Sequence, residues 1–209
     1  MLKLKKIAIT GCISSGKSTF CGILKKYGAY YVSSDEIIHA ILLSDPTCIK
    51  QISCLLGPTI FSKGKIDRKK VAEQVFRDAS KLKALEDILH PRLNAIIKTE
   101  YRKAQKQNKA VAFIVESPLL IETKMNKEFD LTVLVTCKES LAKKRFKKKG
   151  FTESDFDRRM ERHFSEETKL KRADFIIAND ATLNELEEKA KKLLMFIAKK
   201  NHHLENDFL

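Results

Sequence analysis

Residues 4–19 constrain the fold of this chain more than any other stretch. LKKIAIT reads as a short buried strand and GCISSGKST follows it; KSTFCGILKKYG then repeats apolar residues at helical spacing until Gly28 stops the pattern. The order is strand, Gly-containing loop, helix. Within it Gly11, Gly16, Lys17 and Ser18 match G-x-x-x-x-G-K-[ST] in full. The spacing suits a loop whose successive backbone N–H groups wrap phosphate oxygens, because glycines permit the turn and the helix N-terminus adds favourable partial charge. Lys17 is then placed to neutralise the β- and γ-phosphates of a nucleotide, and Ser18 to ligate the magnesium ion that bridges them.

The same alternation continues downstream. AYYV at 29–32 has strand character, and SSDEIIHAILL opens with capping residues before a helical apolar face, so Asp35 falls at a strand-to-helix junction. Residues 47–107 read as mostly helical, with a long amphipathic pattern that is expected to bend or break at Pro91. AVAFIVE at 110–116 and DLTVLVT at 130–136 are near-continuous apolar runs, as expected of strands covered on both faces. Residues 138–173 are dense in both charge signs and predict a solvated helical excursion rather than core. ADFIIAN returns to strand character, ATLNELEEKAKKLLMFIAKK is a closing amphipathic helix, and NHHLENDFL is expected to be a frayed tail in which His202 and His203 are solvated. Strands alternating with helices predict an α/β fold: a central parallel sheet flanked by helices, in a single domain over 1–200 with a tail over 201–209.

Charge narrows the partners. Lys and Arg number 41 against 27 acids, giving a formal net charge of +14, which favours a nucleic acid, an acidic surface or a phosphorylated small substrate. Against nucleic acid, aromatic residues are only 8% of the chain and no basic stripe is interleaved with them for base stacking. The five cysteines form no C-x-x-C pair or Cys/His cluster, which argues against a zinc site or a disulfide framework and for thiols in a reducing compartment. The basic start MLKLKK precedes an apolar stretch too short for a signal segment, so a cytoplasmic location is expected, without a membrane partner. A GTPase switch is also disfavoured, since neither D-x-x-G nor N-K-x-D occurs. That leaves an ATPase, a regulatory nucleotide binder, or a kinase for a small acceptor. The last fits a basic excursion able to clamp a charged transition state and exclude water.

Several further segments occur in one order along almost the whole chain: SSDEIIHAIL at 33–42, GKIDRKKVAEQVF at 64–76, LEDILHP at 85–91, SPLLIE at 117–122 and ADFIIAN at 173–179. Together with ITGCISSGKST they resemble the motifs of the dephospho-CoA kinase family, a family of P-loop small-molecule kinases. The phosphate loop is generic to many NTPases, whereas LEDILHP with SPLLIE is specific.

The resemblance implies a P-loop kinase fold with a helical acceptor-side region over about 45–107 and a basic lid over about 145–172. It implies transfer of the γ-phosphoryl of ATP to the 3′-hydroxyl of the ribose in dephospho-CoA, with Mg2+, by a monomer or weak homo-oligomer that needs no nucleic acid. Gly11, Ser14, Ser15, Gly16, Lys17, Ser18, Thr19 and Asn179 would hold ATP. Asp35 would orient or deprotonate the acceptor hydroxyl, the alternative being a plain helix cap. His90, Pro118 and Leu119 would line the acceptor side, with helix packing an equal reading for His90. Glu116 would hold magnesium through water, or else form a structural salt bridge. Arg145 and Arg159 would clamp phosphates, because a planar guanidinium binds bidentately.

The chain departs from the family pattern in four places, the first being Ser33, which replaces the first Asp of D-x-D-x-I-x-H-x-L while Asp35 keeps the second. KKRFKKKG puts Lys144 and Lys148 in register with the two arginines of R-L-x-x-R-x-G and leaves Arg145 one residue off. His163 replaces a Gln, and Ala181 stands where a Gly is usual. The alternatives to this reading are another P-loop kinase for a nucleoside or sugar, and a basic nucleic-acid-binding ATPase.

Overall fold

In a computed structural model, residues 4–123, 125–161 and 164–206 are described, with side chains described as far as residue 199. The chain forms two compact units, Met1–Val32 with Tyr101–Leu209, and Ser33–Glu100.

The first unit is built on a five-stranded parallel sheet. Its strands are β1 (Lys6–Gly11), β2 (Tyr30–Ser33), β5 (Phe113–Glu116), β6 (Leu131–Thr136) and β7 (Phe175–Ala178), in the order β2-β5-β1-β6-β7. β1 is central: Ile7 pairs with Ile114 on one side and Leu131 on the other, and Ile9 with Glu116 and Val133. Ile7, Ala8 and Ile9 are wholly buried, which explains why their run lacks polar alternation. Helices α1 (Lys17–Lys26) and α9 (Leu183–Asn206) contribute to one core with the sheet. Leu186, Ala190, Leu193 and Ile197 recur at helical spacing along α9 and meet Phe20 and Leu24 of α1 in that core. Glu187 ties the same helices at the surface, accepting from Tyr27 Oη and pairing with Lys26 at 3.0 Å. α9 also extends into the segment expected as a tail.

Residues 138–173 hold α6 (Glu139–Lys148), α7 (Glu153–Met160) and α8 (Glu166–Leu170), and the expectation of a purely solvated excursion is corrected. Ala142, Phe146 and Phe156 are buried together against Ile13, Cys137 and Met160. Lys169 is wholly buried too. The density of charges hid this core, because its apolar members are few and lie on different helices. α7 starts on a capping box in which the Thr152 hydroxyl accepts from Asp155 N and the Asp155 carboxylate accepts from Thr152 N.

The second unit packs α2 (Ser34–Ser44), α3 (Pro46–Leu56), α4 (Arg68–Val75) and the N-terminal part of α5 (Ala79–Gln107) around Ile41, Ile52, Leu56, Ile60, Val71, Val75, Leu85 and Leu89. It contains a hairpin that helical patterning missed, β3 (Phe61–Ser62) with β4 (Lys65–Ile66). Lys63 and Gly64 both take positive φ, as a two-residue hairpin turn requires. Strands of two residues are too short to show a period. The expected break at Pro91 is also corrected, since α5 runs through it. Pro91 removes one helical N–H, but Arg92 Nη1 donates to the Ile88 carbonyl at 2.7 Å and supplies a side-chain bond beside the gap.

Asp45 links α2, α3 and α5 in this unit. Its carboxylate accepts from Cys48 N at 2.9 Å at the start of α3, and from Arg92 Nε at 3.0 Å. The Cys48 amide first, then the Arg92 guanidinium, hold the Asp45 carboxyl below its ordinary value. A lowered folded-state value means that the contribution is present above about pH 4 and is lost as pH falls through the folded value. Asp45→Asn keeps a competent cap. We therefore expect urea midpoints of the variant to fall less steeply than those of the unmodified protein as pH drops below about 4. Parallel pH profiles would remove Asp45 from the acid sensitivity.

Candidate active site

The carboxyl ends of β1, β5 and β7 lead to Gly11–Ser18, Glu116 and Asn179, candidates from the sequence, and that end of an open α/β sheet is where ligands collect. β1 runs into the Gly11–Ser18 loop and α1 begins at Lys17. Gly16 stands at φ +95, and a Cβ there would lie 2.1 Å from Asn179 Nδ2. Only glycine satisfies both the left-handed backbone and that approach. The Ser15 carbonyl is consequently held by two donors, Asn179 Nδ2 at 2.8 Å and Arg145 Nη1 at 3.4 Å. Arg145 Nη2 also donates to the Asn179 carbonyl at 3.1 Å. Ser15 Oγ is buried without a hydrogen-bond partner among the described residues, and a phosphate oxygen can supply one. Ser14 takes φ 54 in the same turn, and Thr19 is exposed in the first turn of α1.

Lys17 is buried and donates from Nζ to the carbonyls of Gly11 at 2.9 Å and Cys12 at 2.7 Å, which seats its ammonium on the loop. Ser18 Oγ donates to Glu116 Oε1 at 2.7 Å, and Tyr31 Oη donates to Glu116 Oε2 at 2.5 Å. Glu116 is buried at the end of β5, so these hydroxyls satisfy a carboxylate that would otherwise be costly to bury. Pro118 and Leu119 follow it. The Pro118 carbonyl accepts from Thr10 Oγ1 at 3.2 Å, and the Leu119 carbonyl from Thr123 Oγ1 at 2.9 Å.

The structure separates the two arginines expected to clamp phosphates. Arg145 reaches the phosphate loop, despite standing one residue off the family pattern. Arg159 instead lies with its guanidinium 4.5 Å above the Phe151 ring and 5.3 Å above Phe146, two rings that stack on each other. Lys144 and Lys148 line an open hollow with Ser140, Lys143 and Lys147. His163 lies outside the described residues. The loop around Ala181 is anchored through Asp180, whose Oδ1 accepts from Lys138 N at 2.6 Å.

Asp35 and His90 belong to the second unit. Asp35 is exposed in the first turn of α2, and the cap of that helix is Ser33, whose hydroxyl accepts from Glu36 N at 3.3 Å. The plain-cap reading of Asp35 therefore passes to Ser33. His90 is half-buried on α5. Sequence reasoning missed Tyr31, Thr10, Glu122 and Lys169. Lys169 pairs with Glu122 at 2.8 Å and, among lysines dense in sequence, looks like surface. Tyr31 had no signal beyond its strand.

Burial pushes the Cys12 thiol above the ordinary thiol range, and the Lys169 charge is the strongest influence opposing it. The Cys137 thiol is likewise raised by burial, against the pull of Arg145.

A family model described as dephospho-CoA kinase matches residues 5–185. A dephospho-CoA kinase of Protochlamydia amoebophila is 42% identical over 195 residues, covering 92% of this chain and 96% of that protein. The crystal structure of TT1252 from Thermus thermophilus superposes with a TM-score of 0.79 at 28% identity, covering 92% of this chain and 97% of the other. A dephospho-CoA kinase structure from Campylobacter jejuni gives 0.69 at 30% identity, covering 94% and 98%.

Gly16→Ala tests the loop. Forcing a side chain into this conformation against Asn179 should cost about 1–3 kcal/mol of stability and weaken ATP binding at least about tenfold. Calorimetric titration of ATP, with a thermal melt alongside, checks both. Unchanged affinity would show that the loop does not cradle the nucleotide through its backbone.

Proposed function

This chain belongs to the dephospho-CoA kinase family, and on that premise we propose how its own residues move the γ-phosphoryl of ATP onto the ribose 3′-hydroxyl of dephospho-CoA to give coenzyme A. The observation that carries the reading is the arrangement at the sheet edge: a complete phosphate loop, with Lys17 seated on it, beside a buried carboxylate bonded to Ser18.

The loop amides and the start of α1 bind the β- and γ-phosphates, and Lys17 faces the charge that accumulates on the transferring group. Arg145 and Asn179 hold the Ser15 carbonyl, which orients the loop before the nucleotide arrives. Asn179 is assigned to the adenine end of the nucleotide as well. Asp35, two residues beyond the last residue of β2, accepts the proton of the acceptor hydroxyl or orients it. His90, Pro118 and Leu119 are assigned to the acceptor side. Arg159, held on two phenylalanine rings, is the second lid cation.

For magnesium the donor set fits. Ser18 Oγ and Glu116 Oε1 lie 2.7 Å apart, a hydroxyl and a carboxylate, whereas no group of three or more His, Cys, Asp or Glu side chains gathers among the described residues. Mg2+ ordinarily takes one or two protein oxygens and completes its shell with phosphates and water. When bound it would offset negative charge on the phosphates, with Ser18 as ligand and Glu116 acting through water. The same proposal places the protein in the cytoplasm as a monomer or weak homo-oligomer without a nucleic-acid partner. Free thiols at all five cysteines support a reducing compartment. No helix among the described residues is long and apolar enough to cross a membrane.

ATP consumption and product mass, measured with dephospho-CoA, with nucleosides and with DNA or RNA, test the reading. Coenzyme A should form only from dephospho-CoA; nucleic-acid-stimulated hydrolysis without that product would contradict it. Lys17→Ala should lower kcat about 10²–10³-fold, the scale of losing one charge-stabilising donor. Asp35→Asn should lower kcat about 10²–10⁴-fold while the KM for ATP changes little. Near-normal kcat in Asp35→Asn would remove it from proton transfer.

A further inference from the structure

Lys169 is the one lysine of the α6–α8 segment that is wholly buried among the described residues. Its Nζ pairs with Glu122 Oε1 at 2.8 Å and reaches the Pro118 carbonyl at 3.4 Å. Glu122 Oε1 also accepts from Phe164 N at 2.9 Å. One carboxylate thus holds both ends of a short stretch: Phe164, just before the Ser165 cap of α8, and Lys169, near its end. The Pro118 carbonyl takes its other donor from Thr10 Oγ1, and Thr10 directly precedes Gly11. A continuous set of polar contacts therefore runs from the entry of the phosphate loop, through the segment after Glu116, to the end of the charged excursion.

We propose that Glu122 and Lys169 are positioning residues for phosphoryl transfer, fastening the Phe164–Leu170 stretch to the SPLLIE segment and that segment to the root of the phosphate loop. The assignment rests on the kinase reading above. Its physical argument is that a buried ion pair adds little net stability over an apolar pair of similar volume, so stability alone does not account for one here. What an apolar pair could not supply is the three directed contacts: to Phe164 N, to the Pro118 carbonyl, and between the two side chains. Because a small misplacement of reacting groups carries a large rate cost, a fastener of this kind acts on kcat. Ground-state binding of ATP, set by the loop amides and Lys17, is left largely alone.

The discriminating protein is the double variant Glu122→Met/Lys169→Met, which leaves no lone buried charge. A merely structural pair predicts that the double variant recovers both its melting temperature and its kcat relative to Lys169→Met. A positioning pair predicts that the melting temperature recovers while kcat stays down about tenfold or more, with the KM for ATP within about threefold. It also predicts at least tenfold faster hydrogen exchange at the Phe164 amide, a readout that needs no acceptor substrate. Wild-type kcat in the double variant, or unchanged exchange at Phe164, would overturn the proposal. Lack of coenzyme A formation by the unmodified protein would instead overturn the kinase reading and leave the exchange result to decide the fastening. Should the double variant fail to fold, exchange in the unmodified protein decides: the Phe164 amide should be protected at least about a hundredfold, and an unprotected amide refutes the bond to Glu122.

Discussion

The backbone pairing of β1 on both of its edges is the constraint from which the rest of the site follows. With β5 on one side and β6 on the other in fixed parallel register, β1 cannot slip by a residue without exchanging Ile7 and Ile9, which pack with α1 and α9, for Ala8 on that face. The same register pairs Ile9 with Glu116 and Gly11 with Val135, while β6 pairs Thr136 with Ala178, the residue before Asn179. Three segments distant in sequence are thereby delivered to one edge. The loop between Gly11 and Ser18 then has its carboxylate on one flank and its amide on the other.

Within that frame polar groups outweigh apolar ones in shaping the site. The Ser15 carbonyl, Glu116 and Lys169 are all withdrawn from water, and each is met by named donors or acceptors at hydrogen-bond distance. Leaving any of them unmet would cost about 1–3 kcal/mol for a neutral group and more for a charged one. The exposed pairs, such as Lys171 with Glu167, contribute far less, because each ordinarily adds about 0–1 kcal/mol. The net charge of +14 is thus mostly a property of solvated faces. Lys17, Arg145 and Lys169 are the cations whose placement the structure ties to the loop.

Much of the first unit was legible in the sequence, because buried parallel strands give unbroken apolar runs and the phosphate loop has a fixed spacing with a strand before it and a helix after it. The helical face of α9 was legible for the same reason. What stayed hidden had no local signature. The β3–β4 hairpin is too short to show a period, and α5 continues through Pro91 although the proline removes one helical hydrogen bond. Lys169 is one lysine among many with no local mark of burial, and its partner Glu122 lies 47 positions upstream. At the site, Lys17 and Ser18 could be placed from spacing alone. Arg145 was named for its guanidinium although a family pattern read in strict register passes over it, and the turn of α6 brings it to Ser15.

On this reading the nucleotide binds at the sheet edge built around β1. Hydrogen exchange of the intact protein with and without ATP and Mg2+ tests this most directly, peptide by peptide. Exchange should slow chiefly at residues 12–19 and around Asn179. Unchanged exchange there, with protection appearing elsewhere in the chain, would contradict it.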